Sequence, residues 1–176
     1  MVYYKDNDLT IRNMEETDAR IFTDEEIAQG WGADITKYLT RLRDQSAGKC
    51  VSLTAVYKGL PAGYVNVYLT GLGGAFSGKG LPEIVDFGVL EKYRRKGIGS
   101  KLMDAAEKIA GQYADTVWLG VGLHSGYGSA QRMYVSVQFS RSVVSDSLRP
   151  HELQHARPLC PSPTPGVHSD SRPSSQ

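Results

Sequence analysis

Cysteine is almost absent from this chain: Cys50 and Cys160 stand far apart, and neither has a partner in sequence. Two isolated thiols exclude a disulfide framework, and no Cys or His group has metal-ligand spacing, so no metal is expected. A reducing cytoplasm is the expected setting. Charge of either sign is not in excess. A net charge of +1 at pH 7 argues against an extended nucleic-acid surface, because no basic stripe lies outside residues 92–101. Long apolar runs are missing as well. The opening Met-Val-Tyr-Tyr-Lys-Asp lacks the apolar centre of a secretory signal, and nothing approaches the ~20 residues that cross a membrane. What remains is a globular composition, 40% hydrophobic and 22% charged, in 176 residues that suit one core.

Periodicity orders the chain. Leu9-Thr10-Ile11-Arg12 alternates as a first strand. Asp18 and Thr23 are N-cap candidates, and Thr23-x-x-Glu26 has the spacing of a capping box leading into Ile27. Gly30 and Gly32 end that helix, and a second begins at Asp34 with Ile35, Tyr38, Leu39 and Leu42 on one face. Val51 to Tyr57 and Tyr64 to Leu69 alternate as a hairpin turned at Lys58-Gly59. An apolar strand at 83–90 follows, then an amphipathic helix from Ile98 to Tyr113, a strand from Thr116 to Leu123 and a helix from Ser129. The glycine-rich segment at 73–80 matches the opening of a P-loop. It places Gly80 where a hydroxyl is required and Leu81-Pro82 where a helix should start, which leaves a connection between strands.

The most informative stretch joins the strand at 83–90 to the helix at 98. Arg94-x-x-Gly97-x-Gly99 strips side chains from the backbone where the helix begins. Free N–H groups and the positive end of the helix dipole can meet an anion there, with Arg94, Arg95, Lys96 and Lys101 attracting it from a distance. A dinucleotide fingerprint would need a third glycine at Leu102 and fails.

This strand–turn–helix resembles the acyl-CoA-binding motif of the GNAT N-acetyltransferase superfamily, R/Q-x-x-G-x-G/A, and the element order agrees over residues 9–139. The resemblance implies an α+β fold with a mixed, mostly antiparallel sheet flanked by helices. It also implies acetyl-CoA as cosubstrate and a small amine or a peptide N-terminus as acceptor. Val89, Leu90, Glu91, Arg94, Arg95, Lys96, Gly97, Ile98, Gly99, Ser100 and Lys101 are the implied cofactor-binding positions, with the Val89 N–H facing the thioester oxygen. Acceptor choice is implied to come from the first two helices, around Phe22, Trp31 and Tyr38, and from a final hairpin.

Transfer to an amine requires a base for its proton, a donor for the oxyanion and an acid for the thiolate. Glu83 and Asp86 are the candidate bases. Their separation of three puts them on opposite faces of a regular strand unless a bulge intervenes, and Asp86 is favoured for its depth and nearness to Val89. Ala130-x-x-x-Tyr134-x-x-x-Gln138-Phe139 resembles the family helix whose tyrosine reaches the CoA sulfur, so Tyr134 is the implied acid. The usual asparagine upstream is Tyr127 here, and a glycine is replaced by Gln138. His124 is a lesser candidate, since a lone histidine at a strand end is more often structural.

Beyond residue 139 the composition changes to proline, serine and histidine, and the run from Ser142 onward resembles a translated interspersed repeat foreign to the family. The expected organisation is a GNAT domain at 1–139 lacking its closing hairpin, then a disordered tail at 140–176. A fifth strand left bare by the missing hairpin would favour self-association.

Overall fold

The computed structural model describes residues 1–72, 76, 78–120 and, by backbone alone, 143–146. Seven strands form one sheet in chain order: β1 (Val2–Lys5), β2 (Leu9–Asn13), β3 (Cys50–Tyr57), β4 (Leu60–Tyr68), β5 (Glu83–Val89), β6 (Val117–Gly120) and β7 (Val143–Asp146). The first four pairings are antiparallel and the last two parallel. Helices α1 (Glu16–Ala28) and α2 (Ile35–Ser46) follow β2, and α3 (Ile98–Ala110) crosses between β5 and β6. This is the expected α+β architecture.

Both faces of the sheet are covered. Ile98, Leu102, Met103, Ala106 and Ile109 of α3 pack on Ile11, Leu53, Val65, Val67 and Ile84. On the opposite face Phe22 of α1 and Tyr38 of α2 close over Tyr64 and Leu90. Consequently β4 is buried from Pro61 to Tyr68, whereas its polar side chains at Tyr64, Asn66 and Tyr68 recur at every second position and look toward α1 and α2.

Several local expectations need correction. The chain begins with β1, an edge strand with Val2 and Lys5 exposed, whose short half-wet sequence carries no clear alternation. Helix α1 starts at Glu16, not near Thr23. Its capping box joins Glu15 and Asp18, the Asp18 carboxylate accepting from the Glu15 N–H at 2.9 Å. Thr23 lies mid-helix and donates to the Ala19 carbonyl, and Glu26 is buried. Helix α2 begins as expected, with Asp34 accepting from the Thr36 N–H. The β3–β4 hairpin turns through Lys58 and Gly59, both at positive φ, as a two-residue primed turn requires. Helix α3 ends at Ala110 rather than Tyr113, which is exposed, and the last turn closes by Gln112 and Tyr113 N–H groups donating to carbonyls three residues back.

At the C-terminal side β6 has one further neighbour, within the run 136–149 where at most one strand was expected. Val143–Asp146 runs parallel beside it, pairing Val117 with Val143 and Leu119 with Ser145. That strand lies past the expected boundary at 139. Residues 121–142 and 147–176 lie outside the described residues, and with them the expected helix from Ser129, Tyr134, His124 and most of the tail.

One irregularity positions the site. Between β4 and β5 the register passes from Asn66↔Val85 to Tyr64↔Gly88, so β5 holds one residue more than its partner. The extra residue is Asp86, at φ +51. Ile84 before the bulge and Phe87 and Val89 after it all pack on the α3 side. Glu83 and Asp86 therefore share the opposite face, toward α2.

Candidate active site

Helix α3 opens on a backbone free of side-chain obstruction. Gly97 caps it at φ +76, a left-handed geometry that costs glycine nothing, and among the described residues there is no side-chain cap hydrogen bond. The first intrahelical bond runs from the Lys101 N–H to the Gly97 carbonyl at 3.1 Å. The N–H groups of Ile98, Gly99 and Ser100 thus have no intrahelical acceptor and point out along the dipole. Arg95, in the preceding turn, also adopts positive φ at 60°. Cationic side chains rim the opening: Lys101 lies over the Tyr4 ring at 5.0 Å, Lys96 over Tyr57 at 5.5 Å and Arg94 over Trp31 at 5.4 Å. The arrangement fits a pyrophosphate held by backbone donors, with charge supplied around it.

The end of β5 supplies a second set of backbone groups. Leu90 donates its N–H to the Ala62 carbonyl of β4 at 2.9 Å, and Val89, one residue earlier, is opposite Gly63. Successive residues of an antiparallel ladder turn their backbone groups to opposite sides, so Val89 turns its N–H and C=O away from β4. Its carbonyl accepts from Arg94 Nε at 3.3 Å on that side. The β5–β6 partners are Glu83↔Trp118 and Ile84↔Leu119, at the start of β5, whereas Val89 lies at its other end. An extended amide-containing chain could bond the outward-turned backbone of Val89 as a strand would.

Not every expected position is available. Leu90 and Ile98 are core side chains, 1% exposed each, and only their backbone could contribute. The Glu91 N–H is taken by the Gln29 side-chain oxygen of α1 at 3.0 Å. Lys92, outside the expected set, pairs with Glu25 of α1 at 2.6 Å.

On the α1–α2 face a polar cluster surrounds the two β5 carboxylates. Asp86 accepts from Arg41 Nε of α2 at 2.6 Å. The same guanidinium donates to the Tyr68 hydroxyl at 2.7 Å, and Tyr68 in turn donates to Asp44. Glu83 accepts from the Leu72 N–H at 2.6 Å. Burial pushes its carboxyl above the ordinary glutamate value. The Leu72 N–H and Arg41 pull it back, while Asp86 adds to the rise. Further along, Tyr64 donates to buried Glu26 at 2.5 Å, and Lys37 pairs with Glu26 at 3.2 Å. Burial and then Glu26 push the Tyr64 phenol far above its usual range, so it stays a neutral donor. The rings of Phe22, Tyr38 and Tyr64 stack and cross at 5.0–5.7 Å, walling this side.

Sequence reasoning named Glu83, Asp86, Val89 and the cradle as candidates but not Arg41, Asp44, Tyr68 and Glu26, which line the same polar cluster. A signal existed in β4, where tyrosine and asparagine at 64, 66 and 68 interrupt an apolar strand on one face. Nothing marked their α2 partners. Among the described residues no group of acidic, His or Cys side chains could hold a metal, and no helix is long and apolar enough to cross a membrane.

Comparison with known proteins follows the same lines. No curated protein matches the sequence. Solved structures do share the fold. An aminoglycoside 6'-N-acetyltransferase, AAC(6')-IG from Acinetobacter haemolyticus, aligns at 16% identity with a TM-score of 0.57, covering 76% of this chain and 94% of that one. Ard1 from Thermoplasma volcanium aligns at 20% identity and TM-score 0.58, covering 76% and 83%. The aminoglycoside acetyltransferase meta-AAC0020 from an uncultured soil metagenomic sample, solved with sisomicin, aligns at 20% and 0.53, covering 76% and 90%. A family model for the acetyltransferase (GNAT) family matches residues 11–137, the stretch that holds both the cradle and the carboxylates, and the chain belongs to that family.

Proposed function

We propose that this chain transfers acetyl from acetyl-CoA to a small primary amine, or to a peptide N-terminus, by direct attack in a ternary complex. The observation that carries the reading is the pairing of two backbone donor sets: the uncapped start of α3 and the outward-turned N–H of Val89. The first suits the CoA pyrophosphate and the second the thioester oxygen. In this reading the amine nitrogen attacks the thioester carbon from the α1–α2 side and yields its proton to Glu83, directly or through a water. The oxyanion takes the Val89 N–H, the carbon–sulfur bond breaks, and Tyr134 returns a proton to the thiolate. Glu83 is preferred to Asp86 as base because Asp86 is engaged by Arg41.

Aminoglycosides enter the acceptor list because one fold neighbour is solved with sisomicin and another, AAC(6')-Iy, with a CoA–acetylneamine bisubstrate analogue. A cytoplasmic setting belongs to the same reading and agrees with the free thiol of Cys50.

The test is release of free CoA thiol from acetyl-CoA against a panel of aminoglycosides, diamines and peptides with free N-termini. At least one class should give turnover. Calorimetric titration with acetyl-CoA should show Gly99→Asp weakening binding about tenfold to a thousandfold, because a carboxylate then faces the pyrophosphate. Gly73→Asp, in the β4–β5 connection, should bind as the native chain does. Binding without release from any acceptor would make the protein a CoA-binding module, and equal losses in the two variants would remove the cradle.

A further inference from the structure

Placing two carboxylates on one face of a strand creates a difficulty that a single base would not meet. A neighbouring like charge disfavours ionisation of a carboxylate, and a carboxyl that keeps its proton cannot act as a base. The Asp86 insertion gives Glu83 such a neighbour, since in a regular strand Asp86 would lie on the α3 face, away from Glu83.

We propose that Arg41 is a positioning residue for the transfer: its ion pair with Asp86, braced by Tyr68 and Asp44, neutralises the second carboxylate and leaves Glu83 the one that receives the amine proton. The inference rests on the acyl-transfer reading and adds a residue from α2 to it. The geometry is well defined. Arg41 Nε meets Asp86 Oδ2 at 2.6 Å, with the two side chains only 18% and 27% exposed, so water screens the pair weakly. A second guanidinium nitrogen donates to Tyr68 at 2.7 Å, and the ring lies 5.1 Å from the guanidinium carbon. Tyr68 donates to Asp44, one helical turn beyond Arg41 on α2, so the guanidinium is held from two sides. Burial and the Asp44 bond keep the Tyr68 phenol well above its usual range, and it remains a neutral brace.

Among the described residues the groups facing Glu83 are few. From α2 comes Arg41, from β5 Asp86, from β4 Tyr68 directly opposite in register, from β6 Trp118, and from the connecting segment the Leu72 N–H. Among these Arg41 is the cation and Asp86 the neighbouring anion, so removing Arg41 both withdraws a stabilising charge and uncovers a repelling one. Both effects act in the same direction, raising the pH at which Glu83 loses its proton.

The test reads Glu83 directly, by carbon-13 carboxyl NMR titration of the protein without CoA or acceptor. Arg41→Met should raise the Glu83 midpoint by about one pH unit or more, and Arg41→Lys should hold it near the native value. Asp86→Asn should lower it, and Arg41→Met/Asp86→Asn should fall back below Arg41→Met alone. An unmoved midpoint in Arg41→Met, or a rise that persists undiminished without Asp86, overturns the proposal. Should Arg41→Met fail to fold, Asp86→Asn decides, since a midpoint that does not fall there is equally fatal. With an acceptor in hand, the acid limb of kcat/KM must follow Glu83 upward in Arg41→Met, with more rate lost at pH 6 than at pH 8. A limb that stays still while Glu83 moves overturns the catalytic part and leaves the family assignment intact.

Discussion

Glu83, the proposed base, links burial of a charge to stability at the level of one side chain. Its carboxyl is raised chiefly by burial. A raised folded-state value means the native protein binds that proton more tightly than the unfolded chain does. The resulting stabilisation is full below the unfolded value and is lost as pH climbs through the folded one. Glu83→Gln should therefore gain on the native protein as pH rises from 4 to 7, measured by urea unfolding at each pH. Stability curves that stay parallel would contradict the burial argument. The residue scale is also where sequence was most and least informative. Gly97 and Gly99 were legible because backbone exposure at a helix start needs those residues at that spacing. Arg41 was not legible, because its importance depends on an aspartate 45 positions away that reaches it only through an inserted residue.

Among the elements, α1 depends on a device that pattern reading located in the wrong place. Thr23-x-x-Glu26 has the letter order of a capping box, yet the helix was already two turns old there. The working box, Glu15 with Asp18, uses other residue types. Asp18 also takes both ends of Arg12, at 2.7 and 3.0 Å, while only 1% exposed. Asp18→Ala would remove a cap and leave a cation of β2 facing a buried space. A loss of about 3 kcal/mol or more is expected in chemical denaturation, against ~1 kcal/mol for a cap alone. A loss no larger than the cap value would mean that the Arg12 pair contributes little. The strands were easier to read than the helix starts, since the apolar side chains Val51, Leu53, Ala55, Val65 and Val67 alternate along β3 and β4 on the face that α3 covers. β1 escaped because an exposed edge imposes no such pattern.

For the molecule as a whole, the issue is how the sheet finishes. Its parallel half narrows to β6 and β7, four residues each. Without β7 the backbone of β6 would be an open ladder. Because successive N–H groups of a strand point to opposite sides, prolines at both Val143 and Val144 must remove one directed at β6. Val143→Pro/Val144→Pro should speed hydrogen exchange at Val117–Gly120 and increase self-association in light scattering. Unchanged exchange would show that β7 does not protect that edge. Residues 136–149 had room for one strand at most, and composition did not say where in that run it would lie. Two adjacent valines were the only hint.

The Asp86 insertion has one more consequence. Subtract that residue and the ladder from Asn66↔Val85 to Tyr64↔Gly88 becomes regular, while Glu83, Ile84, Phe87, Gly88 and Val89 all keep the sides they have now. The strand is thus two correctly phased halves joined by a removable syllable. A change in chain length at this one point would delete the second carboxylate and its tie to α2 in a single step, without rewriting any neighbour. The polar tie between β5 and α2 can accordingly be gained or lost by insertion as well as by substitution.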